Sequence, residues 1–106
     1  MNKENIITEI RHAVNIWFDS EVPAEDRFNE AINHVAYAIG QELEGEGRLI
    51  VSKVWDYDEG MLYSTKLAIV WDEEDDDQQV VLLPTLTWDV DEGKSQFRKL
   101  VDWFKD

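Results

Sequence analysis

The stretch RLIVSKVWDYDEGMLYSTKLAIVW, residues 48–71, decides the fold. Its two arms, 48–55 and 61–71, are rich in β-branched and aromatic residues. Asp58-Glu59-Gly60 between them has the composition of a tight turn, so the pattern predicts a β-hairpin. Both faces of the first arm carry apolar residues, with Leu49, Val51 and Trp55 on one and Ile50 and Val54 on the other. Period-two patterning therefore leaves the inward face of each strand open.

Moving toward the amino terminus, the period changes. Ile6, Ile7, Ile10, Ala13, Val14, Trp17 and Phe18 recur at the spacing of one helical stripe, with Asn2 or Asn5 placed to cap its start. Asp19-Ser20-Glu21-Val22-Pro23 breaks that helix, and the proline suits the first turn of a second. Phe28, Ala31, Ile32, Val35, Ala36, Ile39 and Leu43 form the next stripe, closed by Gly45 and Gly47. Toward the carboxy terminus, VVLLPTLTW at 80–88 reads as a third strand whose Pro84 marks an edge or a bulge. Phe97, Leu100, Val101 and Phe104 predict a last short helix. The expected class is α+β in the order α-α-β-β-β-α: a three-stranded antiparallel sheet with helices packed on one face, in a single globular domain spanning 1–106.

Composition supports a packed core. The chain has 106 residues, 43% of them hydrophobic, including five Trp, four Phe and three Tyr. That is enough to fold without staples, and the absence of cysteine excludes disulfides, a thiol nucleophile and thiolate metal sites. The first residues contain no apolar run of secretory type and no segment has membrane-spanning length, so the expected compartment is the cytoplasm.

Charge is the distinctive property. The formal net charge is -14, from 24 acidic and 10 basic side chains. Residues 55–92 hold 12 of the acids against the single base Lys66. Such a balance disfavours nucleic acid or an anionic membrane as a direct ligand and suits a basic protein partner. The acids follow tryptophans: WDYDEG at 55–60, WDEEDDD at 71–77 and WDVDEG at 88–93. Each Trp-Asp pair marks a point where a strand leaves the sheet. In an antiparallel meander the first and third of these exits emerge at one end, about 10 Å apart. Asp56, Asp58, Glu59, Asp89, Asp91 and Glu92 are then expected to form one acidic rim with Tyr57, and Asp72, Glu73, Glu74, Asp75, Asp76 and Asp77 the other. Nothing else in the chain repeats at the separation of the two similar hexapeptides, which argues against a solenoid or propeller.

Clustered carboxylates raise the question of a cation. An EF-hand needs glycine at position 6 and Glu at 12. From Asp56 those requirements meet Met61 and Leu67 instead of Gly and Glu, since Gly60 falls one position early; from Asp89, Gly93 is likewise one position early and Leu100 stands at position 12. A solvated turn is the simpler reading, and no metal or cofactor is expected. His12 and His34 lie about 190° and 130° from the centres of their helical stripes, facing water or a neighbour. There is no Gly-rich phosphate loop, His-Glu-x-x-His pair or nucleophile elbow. Paired acids such as Asp56 and Asp89 would be the only catalytic candidates, and exposed turns seldom desolvate them. The chain is therefore expected not to be an enzyme.

In charge and size alone the chain is similar to barstar-like nuclease inhibitors, toxin immunity proteins and phage-encoded DNA mimics. That likeness implies a monomeric, acidic inhibitor of a basic, nucleic-acid-acting protein such as a nuclease toxin, with the thirteen rim residues as contact groups. Exposed Tyr37, Trp103 and Tyr57 are further candidate anchors. The alternative expectation is a small acidic dimeric secretion or assembly chaperone that holds its client in an apolar groove.

Overall fold

The computed structural model describes residues 2–71, 79–87 and 93–105. Helix α1 (Lys3–Trp17) is followed by α2 (Ala24–Glu42), strands β1 (Gly47–Asp56), β2 (Met61–Trp71), β3 (Gln79–Leu82) and β4 (Leu86–Thr87), and helix α3 (Gly93–Lys105). The class is α+β, and its sheet is antiparallel. β2 lies in the centre, with β1 on one side and β3 and β4 sharing the other.

The first helix starts where its cap chemistry allows. The Asn2 side chain accepts the Asn5 N–H at 3.1 Å, satisfying one of the free donors of the first turn. Asn5 reaches sideways: its amide donates to Glu42 Oε1 at 2.6 Å, while the Asn2 N–H donates to Glu42 Oε2 at 3.0 Å. The last residue of α2 thus clamps the start of α1. These bonds, that from Asn5 foremost, hold the Glu42 carboxyl below its usual range. At the other end of α1 the expected stripe stops one residue early. Phe18 is the C-cap and is exposed. Pro23, with φ -53°, occupies the N-cap of α2.

Layering follows from which stripes meet. α2 packs on β1 and β2, α3 packs on β4, and α1 lies across α2 and α3 without reaching a strand among the described residues. The helices therefore cover one face of the sheet in two tiers. Trp17 of α1 joins the tiers, meeting Phe28 of α2 edge-on at 4.8 Å and Phe97 of α3 at 5.9 Å. Around them Ile6, Ile10, Ile32, Ile39, Leu100 and Phe104 are fully buried. Each such side chain contributes about 1.5–3 kcal/mol of burial.

On the sheet, the open question of facing is settled by pairing. Leu49, Val51 and Lys53 pair with Ile69, Leu67 and Thr65 on the inner face, and Ile50 and Val54 point outward. Two irregularities keep apolar residues inside. Val54 pairs with Ser64 but Trp55 pairs with Leu62, so Tyr63 is an extra residue that returns Leu62 to the core. The third predicted strand is broken in the same way. Leu83 N–H donates to the Leu67 carbonyl, yet Leu86 pairs with Thr65. The extra residue at Pro84–Thr85 brings Leu86 back inside and divides the run into β3 and β4. The edge at β4 is capped by α3: the Thr87 N–H donates to Gln96 Oε1, and Gln96 Nε2 donates to Thr87 Oγ1, both at 2.6 Å. Gly47 lets β1 begin against β2, since a Cβ there would stand 2.8 Å from the Val70 carbonyl oxygen. Among the described residues no helix is long and apolar enough to cross a membrane.

Candidate functional site

The hairpin end joining β1 to β2 is built by its own first carboxylate. Asp56, the last residue of β1, accepts the N–H groups of Asp58 at 3.1 Å and Glu59 at 3.3 Å through Oδ1. This Asx arrangement fixes the turn, and Gly60 at φ +68° closes it in a conformation that a side chain would strain. The carboxylates of Asp58 and Glu59 and the ring of Tyr57, which is 89% exposed, project from an ordered frame. Trp55 and the bulge residue Tyr63 are exposed beside it. Asp56, Glu59, Met61, Leu62 and Tyr63 line a cleft of about 370 Å³. Of the thirteen expected contact residues, these four (Asp56, Tyr57, Asp58 and Glu59) are described and come together.

The other nine lie outside the described residues: Asp72, Glu73, Glu74, Asp75, Asp76, Asp77, Asp89, Asp91 and Glu92. Their flanks are described. Thr87 pairs with Ser64, which pairs with Val54, so β4 leads toward the end of the sheet that holds Asp56. Trp71 pairs with Gly47 and Gln79 at the opposite end. Among the aromatic candidates, Tyr37 is exposed on α2, whereas Trp103 folds back, meeting Phe104 edge-on at 4.8 Å and packing against the core.

Patterning alone did not single out the outer face of the sheet as a surface. Its cross-strand rows are, in order, Arg48–Val70–Val80, Ile50–Ala68–Leu82, Ser52–Lys66 and Val54–Ser64–Thr87. Ile50, Val54, Val80 and Leu82 are exposed, Leu82 at 75%. The exposed Ser52–Lys66 pair separates the apolar end of this face from Val54 and Tyr63, which adjoin the acidic turn.

Basic groups gather elsewhere. Arg11 on α1 and Arg98 and Lys105 on α3 line a groove of about 470 Å³ together with Asn15 and Asp102. Lys53 on the inner face donates to Asn29 Oδ1 and Asn33 Oδ1 of α2, each at 2.7 Å. Partial burial pushes its ammonium below the usual lysine range, and Glu30 offsets only part of that shift. With its donors committed to two amides, Lys53 tethers β1 to α2.

A second polar cluster joins the first two helices. Glu9 and His12 lie one turn apart on α1, and His34 of α2 faces them. His34 Nε2 lies 2.6 Å from Glu9 Oε2, and His12 Nδ1 lies 3.6 Å from Glu9 Oε1. The angular positions of the two histidines put both off the apolar stripes, as expected. That they share a carboxylate depended on the crossing of the helices, for which the sequence carries no signal beyond Glu9-x-x-His12. Scanned against protein-family models, curated proteins and solved structures, the chain matches none.

Proposed function

We propose that this chain is a non-catalytic binding protein that occupies the basic, nucleic-acid-facing surface of another protein and neutralises it. A bacterial toxin immunity protein is the favoured form, followed by a phage anti-defence or DNA-mimic inhibitor, acting in the cytoplasm as a monomer. The observation that carries the reading is the ordered β1–β2 turn, in which backbone-anchored acids surround a solvent-facing Tyr57. Charge of one sign steers encounter with a cationic surface, and an aromatic ring beside it supplies the desolvated contact that holds the complex. The net charge of -14 extends the steering field well beyond the turn.

The test is capture from a lysate of the source cells at low salt, elution with a salt step, and assay of the eluted protein on nucleic acid with and without this chain. A basic, nucleic-acid-acting protein that the chain inhibits is the expected result. Changing Tyr57 to Ala should then weaken the complex at least tenfold, as for an interface anchor. Asp58→Asn with Glu59→Gln should slow association mainly at low salt. Retention of partner and inhibition unchanged by all three substitutions would overturn the role of the turn.

One observation favours a second reading, a small dimeric chaperone. The exposed rows through Ile50, Val54, Val80 and Leu82 could hold a client or a second copy. A dimer by sedimentation that is insensitive to salt and dissociated by Leu82→Lys supports the chaperone instead of the inhibitor.

A further inference from the structure

We infer that Glu9, His12 and His34 form a binding site for a divalent transition-metal ion of the Zn²⁺ type at the seam between α1 and α2. Their ligating atoms all lie within 4.8 Å of one another. Two imidazoles and one carboxylate, with remaining positions open to water, are a ligand set suited to Zn²⁺ and its neighbours in the first transition row.

The geometry arises from two simple placements. Three residues of helix bring Glu9 and His12 to the same face of α1. The packing of α1 on α2 then carries His34 across to them, with the two imidazole centroids 6.3 Å apart. Around a tetrahedral ion with bonds of about 2.0–2.1 Å, donor atoms stand roughly 3.3 Å apart. The His12–Glu9 separation of 3.6 Å is already near that value. The His34–Glu9 contact of 2.6 Å is a hydrogen bond, so its proton passes to solvent as the ion replaces it and the atoms move apart.

Access and charge both favour occupancy. His12 is 57% exposed and the Glu9 and His34 side chains are about a third exposed or less, so an ion reaches the site without opening the core. Arg11, adjacent in sequence, lines the groove toward α3 and does not point a cation at the cluster. A protein of net charge -14 also concentrates cations at its surface. The acid-rich segments share that attraction but offer only carboxylates, the ligands of Ca²⁺ and Mg²⁺. The imidazoles therefore distinguish this site from them.

The experiment is a Zn²⁺ titration of tag-free protein in competition with a chromophoric chelator, paired with the visible spectrum of the Co²⁺-loaded protein. One equivalent should bind, with ligand-field bands typical of a nitrogen- and oxygen-ligated ion and no displacement by Mg²⁺. His12→Ala and His34→Ala should each weaken it by more than about tenfold, the lower end of what loss even of an outer-sphere partner costs. Glu9→Gln retains hydrogen bonding to His34 but is a poor ligand, so it should keep the ion-free melting temperature and lose the rise produced by Zn²⁺. His12 is exposed enough that its replacement leaves the fold intact, as far-UV circular dichroism will show. Absence of saturable binding below millimolar Zn²⁺, or equal affinity in the His12→Ala/His34→Ala double variant, overturns the inference; the latter places the ion on the acidic segments.

Discussion

On the inner face of the sheet, cross-strand rows run through Leu49, Ile69 and Val81 and then through Val51 and Leu67. On the outer face they run through Arg48, Val70 and Val80 and then through Ile50, Ala68 and Leu82. These rows are nearly alike in composition, yet Leu67 and Ile69 are buried beneath helices whereas Ile50, Val80 and Leu82 meet solvent, Val70 alone of the outer rows being buried. In these rows hydrophobicity alone does not choose the core side; the polar outer pairs Ser52–Lys66 and Ser64–Thr87 do more to mark it. The irregular points keep to the same side: the extra residues at Tyr63 and at Pro84–Thr85 return Leu62 and Leu86 to the core, and Lys53 on that face reaches Asn29 and Asn33 of α2. Ile50, Val54, Val80 and Leu82 remain exposed on the outer face, Val54 near the turn proposed to bind a partner.

The sharpest way to break this contrast is to make one truncation on each face. Leu67→Ala removes a side chain that is 1% exposed and should cost about 2–5 kcal/mol of stability through lost burial and the cavity left behind. Leu82→Ala removes the same atoms in solvent and should stay within about 0.5 kcal/mol. Urea unfolding measures both. Comparable losses would mean that the outer face is covered in the free protein, and would remove it from consideration as a docking surface.

A smaller effect of opposite sign is expected at Thr65. It sits on the inner face between Lys53 and Leu86, is 0% exposed, and its hydroxyl has no hydrogen-bond partner among the described residues. An unsatisfied buried hydroxyl costs about 1–3 kcal/mol, and Val has nearly the same shape. Thr65→Val should therefore raise stability by about 1 kcal/mol. A loss in thermal or urea unfolding would show instead that Thr65 is hydrogen-bonded, for instance to bound water.

These two positions also show where sequence reading stopped. The hairpin of 48–71 was legible because its arms and turn agree locally, and the helices were legible from their stripes. The inner face was not, because Leu49, Val51, Ile50 and Val54 satisfy either orientation and bulges leave only a faint mark, here Pro84. The position of α1 in a second tier depends on helix–helix packing that no local pattern encodes. Of the candidate site, Asp56 and its turn could be read from Asp58-Glu59-Gly60. The Glu9–His12–His34 cluster could not, since two histidines facing away from their stripes disclose nothing about each other until α1 and α2 are docked.

Lys53 sharpens the comparison most finely, being a charged residue on the face that excludes charge. Burial lowers its pKa in the folded protein below the ordinary value of 10.5. Between those two values the unfolded chain holds the proton more tightly than the folded one, so stability rises with pH across that window and is level beneath it. The neutral amine still has a hydrogen for each of Asn29 and Asn33, so the tether survives deprotonation. In Lys53→Met the titrating group is gone while the stem still covers the inner face. Urea unfolding between pH 8 and about 10 should therefore show the wild type gaining on the variant as pH increases, a slope that tyrosine ionisation, common to both, leaves in the difference. Parallel profiles would mean that the ammonium is as well solvated beneath the sheet as in the unfolded chain. The inner face would then owe its dryness to Leu67, Ile69 and their neighbours alone, with Lys53 reaching past it into water.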